Sequence, residues 1–155
     1  MIHQTRVVRG LIVEGDPRIR SLLKDYLQSV VRFETMMVED PFHLLALCES
    51  LPDQPTILLL DMEWSRVEGP VVIREVRKRA PWISILGMTS RQTELIEDPI
   101  IRKHSVGLIP KPLSPYHLQR SLNAVLAADG WLGHARASSP RLRDLIAIHL
   151  SGTAA

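Results

Sequence analysis

The sequence predicts an α/β fold with a doubly wound, five-stranded parallel sheet in the order 2-1-3-4-5 and helices on both faces. Three observations point to it. Apolar runs such as Ile57-Leu58-Leu59-Leu60 are short and continuous rather than alternating, the pattern of strands buried on both faces. Segments with helical spacing lie between these runs, and such alternation implies parallel strands joined by right-handed crossovers. Polar residues capable of chemistry stand just past the strands: Glu14 and Asp16, Asp61, Thr89 and Ser90, and Lys111. That is the edge at which open α/β sheets hold their ligands.

The elements follow in order. Val7 to Val13 is the expected first strand. Ile19, Leu22, Leu23, Tyr26, Leu27 and Val30 then share one helical face. Phe33 to Val38 reads as the second strand and Leu44 to Leu51 as part of the second helix. Thr56 to Asp61 is the third strand, Val71 to Arg79 the third helix, and Ile83 to Met88 the fourth strand. A short fourth helix is expected at about 99–105. Leu108 and Ile109 mark a brief fifth strand, and Leu118, Leu122, Val125 and Leu126 stripe the fifth helix. Asp16-Pro17, Asp40-Pro41, Asp98-Pro99, Ser114-Pro115 and Ser139-Pro140 each pair a capping residue with proline, so each marks a helix start. For Asp16 this leaves two readings open, helix cap and site carboxylate.

Composition bounds the rest. A chain of 155 residues makes one domain that buries about two thirds of the surface its unfolded form exposes. No apolar run approaches the roughly 18 residues that span a bilayer, and Met1 to Arg6 lacks a signal peptide's apolar core, so a cytoplasmic location is expected. Cys48 is the only cysteine and is expected to be a small buried apolar residue. The net charge of +2 is weak. Arg74, Arg77, Lys78 and Arg79 cluster at a helix end, where cations complement the dipole; nucleic-acid binding is not expected without a separate output domain. The histidines show no metal-ligand spacing.

The expected strand order sets strands one and three side by side, with Glu14 and Asp61 facing each other across the switch point. Carboxylates so placed repel unless one protonates or a cation joins them. A hard cation such as Mg2+ prefers oxygen ligands. Asp61 can act as a nucleophile toward phosphorus, with Lys111 and the Thr89 hydroxyl for phosphoryl oxygens.

At this point the chain resembles the receiver domain of two-component response regulators over residues 7–128. The resemblance rests on Val13-Glu14-Gly15-Asp16-Pro17, Leu60-Asp61 with Gly69 eight residues on, Met88-Thr89-Ser90, and Gly107-Leu108-Ile109-Pro110-Lys111-Pro112. It implies a flavodoxin-like (βα)5 fold, Asp61 as phosphoacceptor, Thr89 as switch hydroxyl, Lys111 as the phosphoryl-binding lysine, and a cis Lys111-Pro112 bond. It further implies Mg2+ held by Glu14, Asp16, Asp61 and the Glu63 backbone carbonyl. The implied partners are a sensor histidine kinase or phosphotransfer protein and a downstream protein target. No enzymatic activity of its own is implied.

The chain also departs from the family pattern. Gly15 stands where the second acid of a pair normally binds Mg2+ directly, so Mg2+ binding is expected to weaken. Leu108 replaces an aromatic switch residue. Ser65 stands where the family often has proline. Glu63, two residues past Asp61, is expected to pair with Arg91, two past Thr89, across the mouth of the site.

Residues 129–155 read as a C-terminal extension with one extra helix at about 140–150. Leu142, Leu145, Ile146 and His149 share one face of it, which either packs back on the domain or forms a homodimer surface. With so few residues after the receiver in this sequence, a DNA-binding output domain is not expected. Two functional readings stand: a phosphorylated receiver that signals by protein contact, and a pseudo-receiver interaction module that is not phosphorylated, with Gly15 and Leu108 as its signs.

Overall fold

A computed structural model of the protein describes residues 8–30, 33–64, 66–104 and 106–128. Strands β1 (Val8–Val13), β2 (Phe33–Val38), β3 (Thr56–Asp61), β4 (Ser84–Thr89) and β5 (Gly107–Pro110) form one parallel sheet in the order β2-β1-β3-β4-β5. Helices α1 (Pro17–Val30), α2 (Pro41–Ser50), α3 (Gly69–Arg79), α4 (Gln92–Leu95), α5 (Pro99–Lys103) and α6 (Pro115–Ala128) link and flank the strands.

Every residue of β1 and β3 is buried, which is why these strands lack polar alternation. Arg9 and Asp61 are the charged exceptions; Asp61 closes β3, while Arg9 lies toward the start of β1, where its guanidinium donates to Gln54 Oε1 at 2.8 Å. Side-chain parity divides the core in two. Ile12, Ile57, Leu59, Met88 and Ile109 pack with Leu23, Tyr26 and Leu27 of α1 and with Leu118 and Leu122 of α6. Leu11, Val13, Leu58 and Leu60 pack with Leu44 and Cys48 of α2, Val72, Ile73 and Val76 of α3, Leu95 and Ile101. Each fully buried leucine or isoleucine contributes roughly 1.5–3 kcal/mol through water exclusion. These two layers hold the sheet rigid and fix the strand ends where the polar residues sit.

Four of the Asp-Pro and Ser-Pro pairs begin helices as expected. Asp16 Oδ1 accepts from Arg18 N at 2.9 Å, Asp40 Oδ1 from His43 N at 2.8 Å, Asp98 Oδ1 from Ile100 N at 2.8 Å, and Ser114 Oγ from His117 N at 3.2 Å. The single short helix expected at 99–105 is corrected to two, α4 and α5. The separator is Asp98: the residue before proline is pushed out of the helical region, and Asp98 is extended at φ −64°, ψ 128°.

The basic residues at the end of α3 are tied down within the domain. Arg79 reaches Glu75 at 2.8 Å and Glu49 at 3.3 Å, Lys78 reaches Glu75 at 3.2 Å, and Arg77 donates to the backbone carbonyls of Ile83, Pro81 and His104. Cys48 is buried, and burial raises its thiol pKa. Among the described residues no helix is long and apolar enough to cross a membrane. The extra helix expected at about 140–150 and the Ser139-Pro140 cap lie outside the described residues.

Candidate functional site

Strand register assembles the site. Val13 pairs with Leu60, so Glu14 emerges beside Asp61 at the switch point between β1 and β3. Asp61 pairs with Met88, and Thr89 with Pro110, which sets Thr89 and Lys111 level with Asp61 on the far side. Two backbone bonds lock this edge: Met62 N donates to Met88 O at 3.0 Å, and Lys111 N to Thr89 O at 2.8 Å. The Lys111-Pro112 bond is cis.

Asp61 and Lys111 form the centre. Lys111 Nζ donates to Asp61 Oδ1 at 2.6 Å, and Glu63 N donates to the same oxygen at 3.0 Å. Burial disfavours the Lys111 charge, but the Asp61 hydrogen bond and the charges of Asp61, Glu63 and Glu14 outweigh it and raise the Lys111 pKa. The lysine therefore keeps its proton at neutral pH, a fixed cation beside a buried carboxylate.

Glu14 is 3 % exposed. Its Oε1 accepts from Asp16 N at 3.0 Å, while Oε2 is buried without a hydrogen-bond partner. Burial and the Asp61 charge raise its pKa against the opposing pull of the Asp16 N–H. An orphaned buried carboxylate oxygen beside a second carboxylate matches what a hard cation needs. The donor set is lean, however. Among the described residues no three His, Cys, Asp or Glu side chains are grouped to hold a metal ion.

Asp16 makes the contacts of a helix cap: besides the Arg18 N–H on Oδ1, its Oδ2 lies 3.4 Å from the exposed Arg18 guanidinium at the start of α1. Gly15 has no left-handed backbone angle, and a Cβ there would meet only the rim of Trp64 at 3.9 Å. The glycine is thus not demanded by the turn, and its backbone would accept an acid.

The expected Glu63–Arg91 pair is corrected. Arg91 Nε bonds Glu94 Oε2 at 3.0 Å along the start of α4, a local contact that holds it away. Glu63 turns inward instead. Its Oε1 accepts from Thr89 Oγ1 at 3.2 Å, from Ser90 Oγ at 2.6 Å and from Ser90 N, while Oε2 lies 3.5 Å from Lys111 Nζ. Burial opposes its charge, but the Ser90 bonds and Lys111 prevail and lower its pKa. The nearness of Glu63 and Ser90 went unread in the sequence; the signal available was an acid two residues past Asp61 facing consecutive hydroxyls past β4.

Thr89 Oγ1 also accepts from Arg91 N at 2.9 Å, so its own proton is free for Glu63. Leu108 is partly buried against the α2–α5 layer and pairs with Gly87. A cavity of about 440 Å3 opens beside these groups, lined in part by Glu63, Trp64, Thr89 and Arg91.

Comparison with known proteins bears on this geometry. A family model described as "Response regulator receiver domain" matches residues 11–123. The transcriptional regulatory protein ResD of Bacillus subtilis (strain 168) is 25% identical over 150 residues, 97% of this chain and 61% of its own length. The chain thus spans about three fifths of that relative. Response regulator TrrA of Thermotoga maritima, solved in complex with Mg(2+)-BeF, is 24% identical with a TM-score of 0.65 over 77% of this chain and 99% of its own. A response regulator receiver domain protein from Clostridium thermocellum is 15% identical with a TM-score of 0.67 over 81% and 98%. At these identities the structural likeness is one of fold.

Proposed function

This chain belongs to the response regulator receiver domain family, and from that premise we propose that it accepts a phosphoryl group on Asp61 and signals by contact with a protein target. The donor is a histidine kinase or a phosphotransfer protein. The observation that carries the reading is the 2.6 Å contact between Lys111 Nζ and Asp61 Oδ1 at the C-terminal sheet edge, with the Thr89 hydroxyl alongside.

In the transfer an Asp61 carboxylate oxygen attacks phosphorus. The P–N bond of a phosphohistidine donor breaks, and its electron pair stays on the imidazole nitrogen. Lys111 stays charged, so it can pair with a phosphoryl oxygen as the negative charge on Asp61 is spent in the new P–O bond. The Thr89 hydroxyl and the Ser90 N–H are the neutral donors for the remaining oxygens. Glu14, Asp61 and the Glu63 backbone carbonyl would hold Mg2+, which when bound neutralises charge between the carboxylates and the phosphoryl group. Asp16 is left to its cap.

A second reading rests on one specific observation. Gly15 removes a metal carboxylate although its backbone would accept one, which is the pattern of a pseudo-receiver that binds partners without phosphorylation. Intact mass after incubation with acetyl phosphate and Mg2+ separates the two. An acid-labile phosphoryl adduct, lost in Asp61→Asn, supports the phosphoacceptor; no adduct at any Mg2+ concentration supports the pseudo-receiver.

A further inference from the structure

We propose that the Glu63 side chain is a built-in stand-in for the phosphoryl group: in the resting chain it occupies the donors that the phosphoryl oxygens need, and it must swing out before Asp61 can be modified. The inference rests on Asp61 being the phosphoacceptor.

The donors are few and each is already used. Ser90 N has one proton and gives it to Glu63 Oε1. The Thr89 hydroxyl accepts from Arg91 N at 2.9 Å and gives its single proton to the same Glu63 oxygen at 3.2 Å. Ser90 Oγ adds a third contact at 2.6 Å. Lys111 Nζ is shared, 2.6 Å from Asp61 Oδ1 and 3.5 Å from Glu63 Oε2. An anion on an arm two residues past Asp61 therefore sits among the receptors of an anion that would be bonded to Asp61. The two cannot be held at once, because a single N–H or O–H proton serves one strong acceptor, and like charges at this range repel.

Glu63 also has somewhere to go. It lines the 440 Å3 cavity together with Trp64 and Arg91, and its side chain is 30% exposed, so a rotamer change carries its carboxylate into water. Two consequences follow. Phosphorylation is slowed by the displacement, and Thr89 and Ser90 are already bonded to an anion before any phosphoryl arrives.

The test compares wild type with Glu63→Ala and Glu63→Gln, the second keeping the shape while removing the charge. Two readouts are taken in Mg2+: the initial rate of adduct formation from acetyl phosphate by intact mass, and the affinity for beryllofluoride by tryptophan fluorescence. Melting temperature checks the fold of each variant. The expected result is a rate and a beryllofluoride affinity about tenfold higher in Glu63→Ala, the equivalent of one charge-assisted hydrogen bond lost by the competitor, with Glu63→Gln between. An adduct that forms at the wild-type rate in both variants overturns the stand-in while leaving Asp61 as acceptor. No adduct in any of the three chains overturns the acceptor reading itself, and the stand-in with it.

Discussion

The two halves of the site edge differ in what they lack. The β1–β3 half carries Glu14, Gly15 and Asp61 and is short of one carboxylate, with Glu14 Oε2 left buried and unpartnered. The β4–β5 half carries Thr89, Ser90 and Lys111 and lacks nothing, but its donors are held by Glu63. On the proposed function, one half is lean for a cation and the other is filled by the chain's own anion. Two separable handicaps, one toward metal and one toward phosphoryl, give different experimental signatures.

Substitutions that break each half should follow that division. The largest effect is expected at Lys111→Ala, which strips the shared cation: adduct formation should fall roughly 100–1,000-fold, the range for losing one preorganised charge donor, measured by intact mass at saturating Mg2+. Next is Gly15→Asp, which should tighten Mg2+ binding about tenfold or more, since even outer-sphere partners of a metal are worth about 10–100-fold; isothermal calorimetry reads it directly, and an unchanged affinity would show that position 15 does not face the cation. Asp16→Ala should lower thermal stability through the lost cap while leaving Mg2+ affinity unchanged. A loss of Mg2+ affinity there would return Asp16 to the metal site. The smallest effect is expected at Arg91→Ala. Its partner is exposed Glu94 rather than Glu63, so both stability and phosphorylation rate should stay at wild-type values.

The sheet order and the positions of Asp61, Thr89 and Lys111 were legible because burial on both faces forces continuous apolar runs, and these runs give way to polar residues at or just past the strand ends, at Glu14, Asp61, Thr89 and Lys111. The Asp-Pro and Ser-Pro pairs marked helix starts for equally local reasons, a side-chain acceptor followed by a residue with no N–H to satisfy. What failed was of another kind. Helix α4 is four residues long, too short to leave a periodic pattern. Glu63 and Arg91 are placed symmetrically past their strands, so sequence distance suggested a pair. It could not show that Arg91 would find Glu94 three residues on, nor that Ser90 would offer Glu63 both an N–H and a hydroxyl. Gly15 has no left-handed backbone angle that would demand a glycine. Its meaning lies in the missing carboxylate alone.

The most direct test is the initial rate of Asp61 phosphorylation by acetyl phosphate, measured across a full Mg2+ titration for wild type, Gly15→Asp and Glu63→Ala. Two independent handicaps predict that Gly15→Asp lowers the Mg2+ concentration for half-maximal rate with little change in the maximum. They also predict that Glu63→Ala raises the maximum with little change in that concentration. If both substitutions moved the same parameter, or if the adduct formed equally on Asp61→Asn, the account of this site would be contradicted.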